Sequence, residues 1–247
     1  MITGAFYHHT FMPVVEGLAK RYHVYAIVMR FDGKTDCLND DGTTHWAKQW
    51  GKDIYDFSQE MGIERFHYIG KCHGTIPGWW LFKEHPEVLI DFSAFFLGPH
   101  TLPSNSNKWT ELLTSGNMKE MMAVAMKNVE SGLKKKMEEM KCIGPNAGGE
   151  ATMKYGGYPE MIWDNDIKTM EEDLRNATVP IGYLFGSDDP LFRDHYDSNM
   201  RLPFITKNCH FTILNGEKHL MELDCPERIV DEAFFFIDQA HKKYDEN

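Results

Sequence analysis

Five short runs of this chain are apolar almost without interruption: 23–29 (HVYAIVM), 66–70 (FHYIG), 88–98 (VLIDFSAFFLG), 179–186 (VPIGYLFG) and 209–215 (CHFTILN). Strands with so little in-and-out alternation are covered on both faces, as in a parallel sheet. Between them, polar residues interleave with apolar ones at helical spacing over 11–21, 43–62, 75–85 and 226–243. This succession of strand and helix predicts a doubly wound, mostly parallel α/β sheet with right-handed crossovers.

One interval breaks the rhythm. Residues 100–178 separate two predicted strands by far more chain than a crossover needs. Within it, Met118, Met121, Met122, Ala125, Val129, Leu133, Met137 and Met140 fall near helical spacing, and a second helix is predicted over 159–175. A Gly- and Pro-rich connection joins the two. The predicted organisation is a sheet-bearing core of residues 1–98 and 179–247, with 99–178 inserted as a mostly helical cap. The methionines of the cap read most simply as its own interior, although a thioether stripe can also adapt to ligands of varied shape.

Charge narrows the partners. With 37 acidic against 26 basic residues, the net charge of −11 opposes phosphate backbones and anionic lipid, so neither nucleic acid nor a membrane surface is expected. No apolar run is long enough to span a bilayer, and the N-terminus lacks the plan of a signal peptide. Five cysteines are scattered without a C-x-x-C pair, which fits a reducing, cytoplasmic setting. Neither a G-x-G-x-x-G after a strand, a P-loop nor a spaced His/Cys cluster is present, so no cofactor and no metal are expected.

The segment richest in chemistry is Gly70-Lys71-Cys72-His73-Gly74, between the predicted strand FHYI and the helix TIPGWWLF. Small residues two positions either side of a nucleophile permit a strained turn that lifts its side chain clear, and the helix that follows aims backbone N–H groups at developing negative charge. Here the chain resembles the α/β-hydrolase superfamily, in which a nucleophile at such an elbow is followed in order by an acid and a histidine.

That resemblance implies the remaining residues. Gly186-Ser187-Asp188-Asp189-Pro190 is similar to the family's acid loop, which points to Asp189, with Asp188 as the alternative. The stretch from Gly216 to Arg228 resembles the terminal histidine loop, where the base precedes a Pro-Glu helix start, and His219 fits that place. The implied triad is Cys72, His219 and Asp189. An oxyanion would be held by the backbone N–H of His73 and by one from the early loop, at Ala5 or else Phe6. Phe6, His8, His9 and Lys71 are candidate substrate contacts, and Trp79, Trp80, Phe6 and Tyr7 hint at an apolar or aromatic acyl compound.

Two departures from the family carry consequences. Cysteine at the elbow is a minority choice that resembles the dienelactone hydrolases, and it favours substrates with good leaving groups. The chain also begins almost at the oxyanion loop, leaving only Met1 to Thr3 for the preceding strand. Either the sheet is cut to about six strands with an exposed edge, which a second copy could cover in a homodimer, or the sequence lacks its start. The expected activity is cofactor-independent hydrolysis of an activated ester, thioester or lactone through an acyl-enzyme. The alternatives are C–C bond hydrolysis or acyl transfer on the same fold, or a non-catalytic ligand-binding protein.

Overall fold

The computed structural model describes residues 1–5, 8–30, 45–99 and 162–245, without the side chains of residues 5, 8, 9 and 241–245, and elements are numbered along these residues. The predicted helix over 117–141, and with it most of the cap, lies outside them.

The strands are β1 (Ile2–Ala5), β2 (Tyr25–Val28), β3 (Phe66–Lys71), β4 (Leu89–Phe95), β5 (Ile181–Gly186) and β6 (Cys209–Leu214). All pair in parallel in one six-stranded sheet of order β2-β1-β3-β4-β5-β6. The helices are α1 (His8–Leu18), α2 (Trp46–Glu60), α3 (Thr75–Glu84), α4 (Ile167–Arg175), α5 (Pro190–Asp194), α6 (Tyr196–Ile205), α7 (Met221–Asp224) and α8 (Pro226–Asp245).

Alternate residues of each inner strand feed two different cores, which is why these strands are apolar throughout. Tyr68, Phe92, Ala94, Tyr183 and Phe185 face the larger core with Trp50 and Ile54 of α2 and Trp79 of α3. Ile69, Phe95 and Leu184, one position out of phase, meet Phe11, Val14 and Leu18 of α1 and Ile229 and Ala233 of α8. Every residue of β3 and β5 is buried, whereas the outer strand β6 is mostly half-buried. Trp79 is fully buried, with its ring edge-on to Phe92 at 4.7 Å and stacked on Tyr183. It therefore serves the core and offers no surface to a ligand. Trp80, its neighbour, packs closely over Gly51 of α2, where a Cβ would come within 2.4 Å of the Trp80 Cβ.

The final part of the stretch assigned to the cap sits on the sheet instead. Ile162, Trp163, Met170, Leu174 and Ala177 belong to the larger core, Lys83 Nζ donates to the Ile162 carbonyl at 3.2 Å, and Lys48 pairs with Asp164. Asp166 caps α4 by accepting from the Thr169 N–H at 3.1 Å. The region from Ile162 onward is thus a crossover helix of the α/β layer, because its apolar face has the sheet's own helices to bury against. Among the described residues, no helix is long and apolar enough to cross a membrane.

Strand order reverses between β1 and β3, since the chain passes from β1 outward to β2 and then returns to the other side of β1. The crevice outside the carboxyl ends at such a switch point is where ligands bind in open α/β sheets. Ala5 at the end of β1 is in register with Lys71 at the end of β3.

Candidate active site

At the end of β3 the chain turns sharply through the short 3₁₀ turn Cys72–Gly74 into α3. Cys72 has φ +51°, a left-handed conformation that costs a residue with a side chain of order 1–3 kcal/mol and clusters at functional sites. Two local features hold this turn. A Cβ on Gly70 would lie 2.3 Å from the Gly74 carbonyl oxygen, so only glycine lets strand and helix start approach so closely. The buried Tyr68 hydroxyl donates to the same oxygen at 2.8 Å.

After β5 comes the acid loop. Asp189 is fully buried and divides its carboxylate between two donors: Oδ1 accepts from the Leu191 N–H at 2.8 Å as the N-cap of α5, and Oδ2 lies 2.8 Å from His219 Nδ1. Pro190 follows at the first helical position, where its missing N–H is harmless. Asp188, the alternative acid, is directed away and pairs with Arg193 at 2.5 Å on the surface.

The histidine loop follows β6 and is stitched to the acid loop by backbone groups. Ser187 N–H donates to Leu214, Asp188 N–H to the Glu217 carbonyl at 2.9 Å, and Gly216 N–H to Ser187 Oγ at 2.8 Å. Gly216, at φ +80°, makes the reversal. From this loop the His219 imidazole bonds Asp189 through Nδ1, and it interacts electrostatically with the Cys72 thiol. The ring of Phe96, itself at φ +67° just beyond β4, packs edge-on to the imidazole at 5.7 Å.

A second imidazole also reaches the thiol: His73 Nδ1 is 3.4 Å from Cys72 Sγ. Burial alone would raise the Cys72 pKa, but the charges of His73 and His219 and their hydrogen bonds outweigh it and hold the thiol well below its ordinary 9.0. Burial opposes the charge on His219 too, yet Asp189 and Cys72 push its pKa up to about 10. Each group thus favours the charged form of the other, and the buried Asp189 carboxylate orients the imidazole.

The structure thus brings together Cys72, His73, Asp189 and His219 from three loops at the carboxyl edge of one sheet. Ala5 ends β1 beside Lys71, and His8 and His9 begin α1, while Phe6 and Tyr7 lie outside the described residues. Lys71, a candidate substrate contact, instead turns inward: it is 4% exposed, and its Nζ is 2.8 Å from Oε1 of the fully buried Glu222. Sequence reasoning did not single out Glu222, Tyr68 or Phe96. A lone acid in the apolar run Leu220-Met221-Glu222-Leu223 is the signal that could have exposed the first. Among the described residues no cluster of His, Cys, Asp and Glu is arranged to hold a metal.

No family model matches the chain. It is 23% identical over 246 residues to a Bacillus subtilis (strain 168) protein named as an uncharacterized carboxylesterase, with 96% of this chain and 78% of that protein covered. Among solved structures, it superposes on a hydrolase from Oleispira antarctica with a TM-score of 0.74 at 12% identity, covering 96% of this chain and 89% of the other. An enol-lactonase from Burkholderia xenovorans LB400 gives a TM-score of 0.69 at 12% identity, over 96% and 90% of the two chains. With one parallel sheet, helices on both faces and these structural neighbours, the chain has the α/β-hydrolase fold.

Proposed function

We propose that this protein is a cofactor-independent hydrolase that cleaves an activated ester, thioester or lactone through an acyl-enzyme on Cys72. The observation that carries the reading is the hydrogen bond between His219 and the buried Asp189, on loops at the same sheet edge as a cysteine held in the left-handed conformation of an elbow. The name of the Bacillus subtilis relative, a carboxylesterase, and that of the structural neighbour from Burkholderia, an enol-lactonase, point to the same kind of bond.

In this mechanism the Cys72 thiolate adds to the carbonyl carbon, and the carbonyl electron pair moves to oxygen. The backbone N–H of His73, with one from Ala5 at the end of β1 or from the next residue in sequence, Phe6, would stabilise that oxyanion. Collapse breaks the bond to the leaving group, which takes a proton from the His219 imidazolium and leaves a thioester on Cys72. His219, now neutral, deprotonates a water, and attack by hydroxide releases the carboxylic acid and restores thiolate and imidazolium. Asp189 keeps Nδ1 as the donor, so that Nε2 faces the reacting atoms.

Sulfur also sets the substrate class. A thiolate leaves more readily than an alkoxide, so an intermediate from a plain alkyl ester reverts, whereas an enolate, aryloxide or thiolate leaving group carries it forward. Rates for an aryl ester, an acyl thioester and an enol lactone, with and without the Cys72→Ala substitution, test the reading. Turnover of at least one by the wild type, and a loss of roughly 10⁴-fold or more in the variant, are expected. Undiminished turnover by the variant would remove Cys72 as nucleophile. Binding of all three without turnover would favour a ligand-binding role.

A further inference from the structure

We propose that Lys71 and Glu222 are positioning residues of this site: their buried ion pair fastens the nucleophile strand to the helix that follows His219, and sets one positive charge behind the thiolate. The inference rests on Cys72 acting as the nucleophile.

The geometry is specific. Lys71 is the last residue of β3, immediately before Cys72, and lies on the same face of the strand as Ile69, toward α1 and α8. Glu222 belongs to α7, which begins two residues after His219 and buries Met221 into that same core. Nζ of Lys71 and Oε1 of Glu222 are 2.8 Å apart, with 4% and 0% of their side chains exposed. Moving two charges out of water is costly, and a pair of apolar residues of similar size often serves stability as well or better. Neither Glu222 oxygen has a well-aligned hydrogen-bond donor among the described residues, so the contact is poorly arranged as a structural fastening alone. Its placement, by contrast, joins the two segments that must stay in register for His219 to reach Cys72.

Charges alternate through the site. The Cys72 thiol lies 3.4 Å from the His73 imidazole, and the Lys71 ammonium of the preceding residue, 2.8 Å from Glu222, interacts electrostatically with it. Asp189 and Glu222 are the anions beyond. Burial disfavours the Lys71 ammonium, but Glu222, Cys72 and Asp189 together keep it charged. A positive charge at Lys71 would oppose protonation of the thiolate, and Glu222 would moderate that influence.

Opposite signs make the test selective. The rate of iodoacetamide alkylation at Cys72, followed by peptide mapping across pH, reads the thiol without any turnover. Lys71→Met is expected to raise the midpoint by about one pH unit, a roughly tenfold change in thiolate equilibrium. Glu222→Gln, which leaves the ammonium unopposed, should lower it, while Lys71→Arg should hold it near the wild-type value. Both neutral variants are expected to lower kcat more than they raise KM. A merely structural pair would shift both midpoints the same way, toward an exposed thiol, or shift neither, and either result overturns the proposal. Should Lys71→Met not fold, Glu222→Gln still decides it: a lowered midpoint, with Lys71→Arg near the wild-type value, supports the proposal, and a raised or unchanged midpoint overturns it. Opposed shifts alongside a fully active Cys72→Ala would instead sink the nucleophile reading and leave the field of the pair in place.

Discussion

Gly186 and Glu217 stand so close that a Cβ on the glycine would lie 2.3 Å from the Glu217 carbonyl oxygen. This contact brings the loop that carries Asp189 against the loop that carries His219, and the neighbouring Asp188 N–H bonds that same carbonyl. Neither loop can shift alone. Gly186→Ala must therefore push them apart, at a cost of about 1–3 kcal/mol in stability, the usual range for overpacking. Activity should fall at least tenfold even where the variant is fully folded. Thermal denaturation and kcat/KM on an aryl ester check the two effects separately.

Asp189 has two duties on two oxygens, and two substitutions separate them. Asp189→Asn keeps an oxygen able to cap α5 but removes the carboxylate that fixes the His219 tautomer. A loss of about 10⁴-fold in kcat is expected with little change in stability, the size of effect seen when a triad aspartate becomes asparagine. Asp189→Ala should show the same loss of activity and a further destabilisation of about 1 kcal/mol from the missing cap. Equal stability of the two variants would show that the capping bond contributes nothing.

The coupled pair gives the pH profile two limbs. Activity should rise as the thiolate forms, at a pH well below the ordinary 9.0 of a cysteine, and fall as His219 loses its proton at about 10. Stability follows linked signs. The contribution of His219 is complete below 6.5 and is lost as pH rises through about 10. That of Cys72 is complete above 9.0 and is lost as pH falls through its depressed value. His73→Gln removes one of the imidazoles facing Sγ and should move the acid limb upward by about one unit, leaving the alkaline limb in place. kcat/KM measured across pH for both proteins shows the limbs directly.

Much of the fold was legible because strands buried on both faces must be apolar throughout. The run 209–215 became β6 at Cys209–Leu214, and the run 66–70 became β3 at Phe66–Lys71. The short helices were not legible. α6 (YDSNMRLPFI) contains Pro203 and buries Ser198 and Asn199 beside Leu202, so its polar residues hide the period of its apolar ones. β1 runs to Ala5, beyond the Met1-to-Thr3 strand the sequence suggested, because pairing on both sides by β2 and β3 holds residues that have no strong strand preference of their own. At the candidate site, Cys72, Asp189 and His219 were named by resemblance, whereas only geometry separates Asp189, which bonds His219, from Asp188, which pairs with Arg193. Lys71 shows the limit most clearly: a lysine beside a candidate nucleophile suggests a substrate contact, and only its pairing with a buried acid more than a hundred residues away turns it inward.

The most direct test is intact-protein mass spectrometry of a reaction quenched during the first turnover of an aryl ester. The expected result is a mass increase equal to the acyl group, mapped to the peptide that contains Cys72, absent from Cys72→Ala and persistent in His219→Ala once formed. An acyl group mapped to any other residue, or multiple turnover with Cys72 replaced and no adduct anywhere, would contradict it.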